Sequence, residues 1–325
     1  MRAAWYERTG PAREVLVVGE MPDPEPGPGE VRVKLATSGA NPSDWKARKG
    51  SRPMIAPRII PHSDGAGVID EVGDGVPAAR LGERVWVWNG QWKRQFGTCA
   101  TMIAVPEAQA VKLPDGVSFE AGACFGIPLL TAYRALTTDG SVAGKRVLVT
   151  GGAGSVGHYA IQLARLLGAV QILTTISSDE KAQHAKAAGA DATINYRSED
   201  VVERIKDLTG GRGVDRMVDL DISSYGRLIP EIMARDGLVA AYGSNNRQIG
   251  FEFSPMIVSG VGVRFFIVYE LADDLRRAAE AHVTRLLEAG CLQHAIGATY
   301  PLDQIVATHE AVEEGRHMGN VVVTM

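Results

Sequence analysis

From Lys145 onward, short apolar segments alternate regularly with amphipathic ones, and this alternation constrains the fold more than any other feature. The apolar segments are RVLVTG, VQILTTI, ATINY, VDRMVDL, LVAAYGS and VRFFIV. The segments SVGHYAIQLARLLG, DEKAQHAKAAG, SEDVVERIKDLTG and YGRLIPEIMARDG lie between them and have helical periodicity. Repeated βαβ units predict an α/β fold with a doubly wound parallel sheet and helices on both faces.

The chain on either side of this region has a different rhythm. In the first third, EVRVKLATSGA alternates Val31, Val33 and Leu35 with polar residues, which predicts a half-buried strand, and GAGVIDEVG and GERVWVW are further apolar runs. After about Ala123, AGACFGIPLLTAYRAL predicts a helix. From about Leu271, two helical segments and the strand NVVVTM form a tail too short for a stable domain. We expect this tail to pack on the N-terminal part.

Charge and cysteine usage exclude several classes of protein. The 325 residues carry a net charge of −4, which gives no electrostatic basis for nucleic acid or an anionic membrane as the main partner.

Cys99, Cys124 and Cys291 are far apart and suit a reducing cytoplasm rather than a disulfide framework. No apolar run is long enough to span a bilayer, and the start has no apolar signal segment. We therefore expect a soluble, cytoplasmic protein.

A glycine-rich turn, LVTGGAGSVGHYAIQLARLLGA, follows the first strand of the alternating region and opens a helix. Gly152, Gly154 and Gly157 fit the spacing of a dinucleotide-binding fingerprint. The first two glycines allow a tight turn and close approach to a pyrophosphate, and the third allows the helix to pack close to the strand. The helix N-terminus would then face the anion. The alternative is a glycine turn with no ligand.

The end of the second strand discriminates between the two nicotinamide cofactors. An NAD site has an acidic side chain there for the ribose 2′-hydroxyl, whereas this chain has Ser177 and Ser178, followed by Lys181. Hydroxyls and an ammonium group suit a 2′-phosphate. Tyr196 and Arg197, after the third strand, lie at the same predicted edge. This set favours NADPH, although Lys181 alone would be read as a solvated helix residue.

Four segments together carry a resemblance to a known family: GIPLLTAYRAL, GGAGSVGHYAIQLARLLGA, GADATINY and EEGRHMGNVVV. The chain resembles the zinc-independent, zeta-crystallin-like quinone oxidoreductases of the medium-chain dehydrogenase/reductase superfamily. The resemblance implies a Rossmann NADPH-binding domain, residues 124–268, inserted into a GroES-like β-rich catalytic domain, residues 1–123 plus 269–325. It also implies a homodimer or tetramer joined through the strand near GVRFFIV.

The resemblance also bears on metal binding. Zinc-dependent relatives have a cysteine in the segment matching SGANPSD and a His-Glu pair in the segment matching PHSDGAG. This chain has Asn41 at the first place and Ser63 and Asp64 at the second, with His62 one position early, where relatives usually have glycine. A lone histidine is more often a hydrogen-bonded structural residue than a ligand. We therefore expect no metal.

The residues expected around the acceptor come from the same resemblance. The Asn41 amide would lie near the nicotinamide and the acceptor oxygen, and Asp44 would brace that loop. Relatives often have tyrosines in the segment matching WKARKGSR, where this chain has Lys46 and Arg52. That departure leaves any proton donor unidentified. Trp92, in a loop, is the tryptophan best placed to line a substrate pocket.

Further cofactor contacts are implied by the resemblance rather than by spacing. Around the phosphates and the nicotinamide they are Thr131, Ser155 and Val156, and beneath the ribose they are Gly243 and Ser244. At the nicotinamide end they are Phe266, Val268 and Asn320, where Phe266 would also line the substrate pocket. The pattern around Phe266 and Val268 fits ordinary sheet core equally well.

Without zinc, no Lewis acid polarises an alcohol or a carbonyl, which makes alcohol oxidation a poor fit. The predicted activity is NADPH-dependent reduction of a quinone, by hydride or electron transfer. The alternative, with the same cofactor, is an NADPH-dependent enal or enone double-bond reductase. A third reading, from another class, is an RNA-binding or structural protein of the zeta-crystallin type, against which the acidic net charge argues.

Overall fold

The computed structural model describes all residues, 1–325, and the chain divides into two compact units. The split unit comprises Met1–Pro128 together with Glu280–Met325, and the Rossmann unit comprises Leu129–Ala279. No helix combines the length and the apolar character that crossing a membrane requires.

Both limits of the Rossmann unit lie inside helical segments. The first falls within a π-helical turn, Phe125–Leu129, and the second within a long helix, Asp273–Glu288. The predicted domain boundaries, 123/124 and 268/269, followed changes of sequence rhythm and fall near these limits but not on them. No turn residues mark the limits of the two compact units, because the backbone continues as helix through both.

The strands are β1 (Arg2–Trp5), β2 (Val17–Glu20), β3 (Glu30–Ala40), β4 (Asp64–Val72), β5 (Arg84–Val87), β6 (Met102–Pro106), β7 (Ala110–Lys112), β8 (Arg146–Val149), β9 (Gln171–Ile176), β10 (Ala192–Asn195), β11 (Val214–Asp219), β12 (Met233–Ala241), β13 (Gly262–Phe265), β14 (Ile296–Pro301) and β15 (Asn320–Thr324). The helices are α1 (Ala12–Val15), α2 (Pro42–Arg48), α3 (Phe119–Gly122), α4 (Leu130–Thr137), α5 (Ser155–Leu166), α6 (Asp179–Ala187), α7 (Val201–Thr209), α8 (Ile222–Tyr225), α9 (Ile229–Ile232), α10 (Phe253–Ser259), α11 (Asp273–Glu288) and α12 (Ile305–Glu313).

The split unit is built on a seven-stranded sheet whose main order is β14-β15-β3-β4-β5-β7, with β6 also paired to β3. Strand β3 is its centre, and the alternation predicted for it is present, since Val31, Val33 and Leu35 are buried. Val85 of β5 and Val105 of β6 pack in the same core cluster. The tail adds β14, β15 and α12 to this unit, as expected from its change of rhythm.

The Rossmann unit contains a six-stranded, wholly parallel sheet of order β10-β9-β8-β11-β12-β13. This is the doubly wound order in which the first strand, β8, lies between the second and the fourth. Leu148, Leu173, Ile194, Met217 and Val239 from five strands are buried in one core. The predicted α/β fold, a Rossmann sheet inserted into a β-rich unit, is confirmed. Ligands of such sheets bind at the carboxyl ends beside the strand-order reversal.

One predicted helix, YGRLIPEIMARDG, is wrong. In this segment α8 ends at Tyr225, the short helix α9 covers Ile229–Ile232, and β12 already begins at Met233. Gly226 follows α8, and Pro230 stands in the first turn of α9, where its missing N–H costs nothing. Strand β12 then passes through Asp236, whose φ is +57°, and Gly237. The apolar residues of this segment therefore belong to a short helix and to the start of a strand.

Two other predicted elements are shorter than expected. The helix predicted over AGACFGIPLLTAYRAL is divided into α3, the π-helical turn containing Pro128, and α4. The strand predicted over VRFFIV ends at Phe265. Phe266 and Val268 therefore lie beyond β13, with Val268 buried in a single 3₁₀ turn, Val268–Glu270.

Candidate active site

The glycine-rich turn between β8 and α5 brings the helix close to the sheet. A Cβ atom at Gly152 would lie 2.1 Å from Thr174 Oγ1, and one at Gly157 would lie 2.2 Å from Gly151 O. Gly151 itself has a φ of +68°, in the left-handed region that favours glycine. Two of the three fingerprint glycines are therefore required by packing inside the unit.

Gly154 differs from the other two glycines because it faces open space. A Cβ there would meet only Gly151 O, at 3.3 Å, and the residue is exposed. It caps α5, whose first residues Ser155 and Val156 are half-buried. The first N–H groups of a helix lack intrahelical acceptors, and the helix dipole is positive there. This open, N–H-lined turn fits a dinucleotide pyrophosphate.

The side chains after β9 form a small polar group. Lys181 Nζ donates to Ser177 Oγ over 3.0 Å, and Ser178 Oγ caps α6 by accepting from Lys181 N at 3.4 Å. The acidic residue of the region, Asp179, is exposed in the first turn of α6. The three residues predicted to discriminate the cofactor are thus adjacent, with an ammonium group directed at a serine hydroxyl.

The residues after β10 extend this edge. Tyr196 N donates to Ile176 O over 3.2 Å, so Tyr196 leaves the sheet beside the end of β9. Its side chain is 49% exposed. Arg197 is also exposed, and its backbone N–H donates to Asn195 Oδ1. Lys181 and Arg197 place two positive charges at one edge of the sheet, which suits a phosphate.

A pocket of about 500 Å³ lies at the carboxyl ends of β12 and β13. Gly243, Ser244 and Phe266 line it, so the structure brings these three predicted residues together. A Cβ at Gly243 would lie 2.1 Å from Leu220 O, which leaves room for glycine alone. Thr131, buried in α4, and Val268 are not among its lining residues.

Two acidic residues at the end of β11 escaped the sequence analysis. Asp221 accepts from Ser223 Oγ (2.5 Å), Ser224 Oγ (2.6 Å), Asn245 N (2.8 Å) and Asn245 Nδ2 (2.7 Å), which ties the loop after β11 to the loop after β12. Asp219 is buried, accepts from Thr150 Oγ1 at 2.8 Å, and has its pKa raised to about 6 by burial. In the sequence, both aspartates stand in the segment VDLD at the end of a predicted strand, which could have indicated them.

In the split unit, Asn41 and Asp44 stand at the start of α2. Asp44 Oδ2 accepts from Asn41 N over 2.7 Å, and Asn41 Nδ2 donates to Asp64 Oδ2 over 3.0 Å. Ile127 N donates to the same Asp64 oxygen, also over 3.0 Å. These contacts orient the buried Asn41 amide. Burial raises the pKa of Asp44 to about 7, opposed by the hydrogen bond from Asn41 and by the charge of Arg52.

The loop residues expected to line the acceptor pocket have different side-chain partners. Arg52 Cζ lies 4.9 Å from the centroid of the Trp92 ring, and Arg52 Nη2 donates to Gln91 Oε1. Lys46 instead lies against Trp45, with Nζ 5.8 Å from that ring. The structure therefore brings Arg52 and Trp92 together, whereas the ammonium group of Lys46 contacts a different ring.

His62 and Asn320 have structural partners. His62 has a φ of +72°, which explains why relatives usually have glycine there, and its Nδ1 pairs with Ser38 Oγ at 2.9 Å. Its Nε2 lies 3.1 Å from Nε2 of His309 in α12, a partner too distant in sequence to predict. Asn320 Nδ2 donates to Ala295 O over 3.1 Å. No group of three or more His, Cys, Asp or Glu side chains is arranged to hold a metal ion.

A GroES-like β-rich unit and a Rossmann unit in one chain are the two parts of a medium-chain dehydrogenase or reductase. The model of the zinc-binding dehydrogenases matches residues 155–284, and that of the alcohol dehydrogenase GroES-like domain matches residues 27–115. The human protein "Quinone oxidoreductase" is 31% identical over 95% of this chain and 93% of its own.

Solved structures agree over the whole chain. The Escherichia coli quinone oxidoreductase complexed with NADPH is 27% identical, with a TM-score of 0.86 and complete coverage of both chains. An NAD-dependent alcohol dehydrogenase is 30% identical, with a TM-score of 0.90 and complete coverage of both chains. The chain belongs to the quinone oxidoreductases of the medium-chain dehydrogenase/reductase superfamily.

Proposed function

We propose that this protein is an NADPH-dependent quinone reductase that works without a metal. The full-length similarity to the human and E. coli quinone oxidoreductases carries the proposal. The overall reaction would convert NADPH, a proton and a quinone into NADP⁺ and a hydroquinone. The two electrons and one hydrogen come from the cofactor, and the second hydrogen comes from solvent or an acidic group.

The residues of the Rossmann unit fit NADPH. The open turn at Gly154, with Ser155 and Val156, would hold the pyrophosphate, and Ser177, Lys181 and Arg197 would hold the 2′-phosphate. When bound, NADPH supplies a hydride or its electrons to the acceptor. Thr131, Gly157, Ser178, Tyr196, Gly243, Ser244, Phe266, Val268 and Asn320 complete the proposed set of cofactor-site residues.

The split unit would orient the acceptor. The Asn41 amide is held by Asp64, so its oxygen and nitrogen have fixed directions, and Asp44 braces the backbone of the same residue. A fixed amide dipole positions an acceptor carbonyl and excludes alternative poses. We keep Lys46, Arg52 and Trp92 as proposed lining residues of the substrate pocket.

Metal independence is supported by the donor set. At the positions where zinc-dependent relatives have a cysteine and a His-Glu pair, this chain has Asn41, Ser63 and Asp64. An amide and a hydroxyl are poor zinc ligands. Asp64 already accepts hydrogen bonds from Asn41 and Ile127. Addition and removal of zinc should therefore leave NADPH oxidation by a quinone unchanged.

The decisive experiment measures NADPH oxidation by the purified protein with 1,4-benzoquinone, 9,10-phenanthrenequinone and an alkenal. We expect turnover with the quinones. Reduction of the alkenal alone would replace the proposal with a double-bond reductase. No turnover with any acceptor, together with an RNA gel shift insensitive to NADPH, would favour an RNA-binding protein.

We also propose a cytoplasmic homodimer, with a tetramer as the alternative. All three cysteines are free, which suits a reducing compartment. Strand β13 is an edge of its sheet, and Phe265 on it is 54% exposed, while Phe253 on α10 is 76% exposed. Uncovered apolar edges favour pairing with a second copy. Light scattering on the purified protein would give the number of subunits.

A further inference from the structure

The split unit contains two arginine–tryptophan stacks that differ in one respect. Arg58 Cζ lies 5.1 Å from the Trp5 ring, and Arg52 Cζ lies 4.9 Å from the Trp92 ring. Arg58 also donates from Nε and Nη2 to the carboxylate of Glu7, at 2.8 and 2.5 Å. That stack is therefore neutralised by an acidic partner.

The stack at Arg52 has a neutral amide in place of the carboxylate. Arg52 Nη2 donates to Gln91 Oε1 at 2.5 Å. Gln91 is only 6% exposed, and its Nε2 donates to Arg94 O over 2.9 Å, which fixes the amide oxygen toward the guanidinium. An amide accepts the hydrogen bond without cancelling the charge. The half-buried Arg52 is therefore held in place but keeps its positive charge.

The location of this charge relates it to the acceptor. Arg52 lies in the loop after α2, the helix that Asn41 caps, and its charge lowers the pKa of buried Asp44 against the effect of burial. Lys93 Nζ lies 5.9 Å from the same Trp92 ring. A guanidinium stacked on an indole face keeps N–H groups at its edge for a planar, bidentate anion.

We propose that Arg52, held by Trp92 and Gln91, is a specificity-determining residue that selects acceptors carrying a carboxylate group. This inference rests on the proposed function and narrows its substrate class. The guanidinium matches a carboxylate in shape and charge, whereas a neutral quinone offers it no anionic group. The 2′-phosphate of NADPH is assigned to Ser177, Lys181 and Arg197, so this cation is not needed for it.

The test compares a 1,4-naphthoquinone that has a propanoate side chain with the methyl ester of the same compound. The side chain separates the charge from the ring, so both acceptors have similar reactivity. The ratio of kcat/KM values, carboxylate over ester, is measured for the wild type, Arg52→Gln, Arg52→Lys and the matched control Arg58→Gln. Because the quantity is a ratio, a general loss of activity or stability cancels.

We expect the ratio to exceed one in the wild type and in Arg58→Gln, and to fall about tenfold or more in Arg52→Gln, mainly through KM. Arg52→Lys should give an intermediate ratio, because lysine keeps the positive charge but lacks the paired N–H groups that bind both oxygens of a carboxylate. Added salt should lower the wild-type ratio.

An unchanged ratio in Arg52→Gln would overturn the inference, as would a rise in the KM for NADPH as the main effect. Failure of the wild type to reduce either quinone would instead overturn the proposed function itself.

Discussion

His62 and His309 form a buried pair, with Nε2 of one ring 3.1 Å from Nε2 of the other and the rings stacked at an interplanar angle of 21°. Burial lowers the pKa of His62 to about 3, and burial, with smaller contributions from the neighbouring His62 and Arg48, lowers the pKa of His309. Both rings are therefore neutral at neutral pH, and one N–H donates to the facing nitrogen.

This pair should make the protein sensitive to acid. Below the ordinary histidine pKa of about 6.5 the unfolded chain binds protons that the folded pair does not, so stability falls as the pH falls from there toward about 3. The expected slope is up to about 1.4 kcal/mol per pH unit for each histidine. Urea unfolding at pH 7 and pH 5 gives the free energy of unfolding that is lost on acidification. This loss should be smaller in His309→Gln than in the wild type and in the control His317→Gln. Equal slopes in both variants would contradict the expectation.

Asp44 should act in the opposite direction. Its pKa is raised to about 7, so the folded state retains a proton that the unfolded chain loses near pH 4, and its contribution to stability falls as the pH rises between these values. Asp44→Asn keeps an acceptor for Asn41 N–H and removes the titration. We expect the variant to gain about 1–3 kcal/mol over the wild type between pH 4 and pH 8. A pH-independent difference in urea unfolding would show that Asp44 titrates normally.

The two glycines of the α5 turn should respond differently to alanine. Gly157→Ala places a Cβ 2.2 Å from Gly151 O, a backbone atom that cannot move aside, and should destabilise the protein by about 1–3 kcal/mol. In Gly154→Ala the new Cβ would have only one close neighbour, at 3.3 Å, so the unfolding midpoint should not change. The variant should nevertheless bind NADPH more weakly. Thermal unfolding and NADPH fluorescence titration measure the two effects. Loss of stability in both variants would mean that the turn is tight throughout.

Lys181 should select NADPH over NADH. The ammonium group of Lys181 lies against Ser177, so Lys181→Glu would place a carboxylate beside the 2′-phosphate. This change should weaken the binding of NADPH at least about tenfold more than the binding of NADH. Lys186→Glu, on the exposed face of the same helix, is the control. The Kd values come from fluorescence titration. Equal binding of the two cofactors by the wild type would refute the interpretation of Ser177, Ser178 and Lys181.

Local patterns predicted the elements that are locally determined. Strand β3 has the alternation of Val31, Val33 and Leu35, and β8 followed by the glycine turn and α5 has a strand, a turn and a helix with distinct signals. The short helix and strand after Tyr225 were predicted as one helix because apolar spacing alone does not separate the two arrangements.

The side-chain partners could not be predicted, because tertiary packing sets them. Nothing near His62 in the sequence indicates His309, and nothing near Arg52 indicates Gln91 and Trp92. The contrast with Arg58 and Glu7 becomes visible only when both stacks are placed in space. Asn41 and Asp44 were found by resemblance, whereas the hydrogen bond from the Asn41 amide to Asp64 required the structure.

The sheet order of the split unit has a consequence for synthesis on the ribosome. Strand β15 pairs with β3, Val321 opposite Ala40, so two of its neighbouring strands come from opposite ends of the chain. All six strands of the Rossmann sheet, by contrast, are translated before residue 266. Because domains fold as units during translation, the Rossmann sheet can close first while the N-terminal strands wait, incomplete, for the last residues to emerge. The N-terminal strands can therefore complete their sheet only after β15 has been translated.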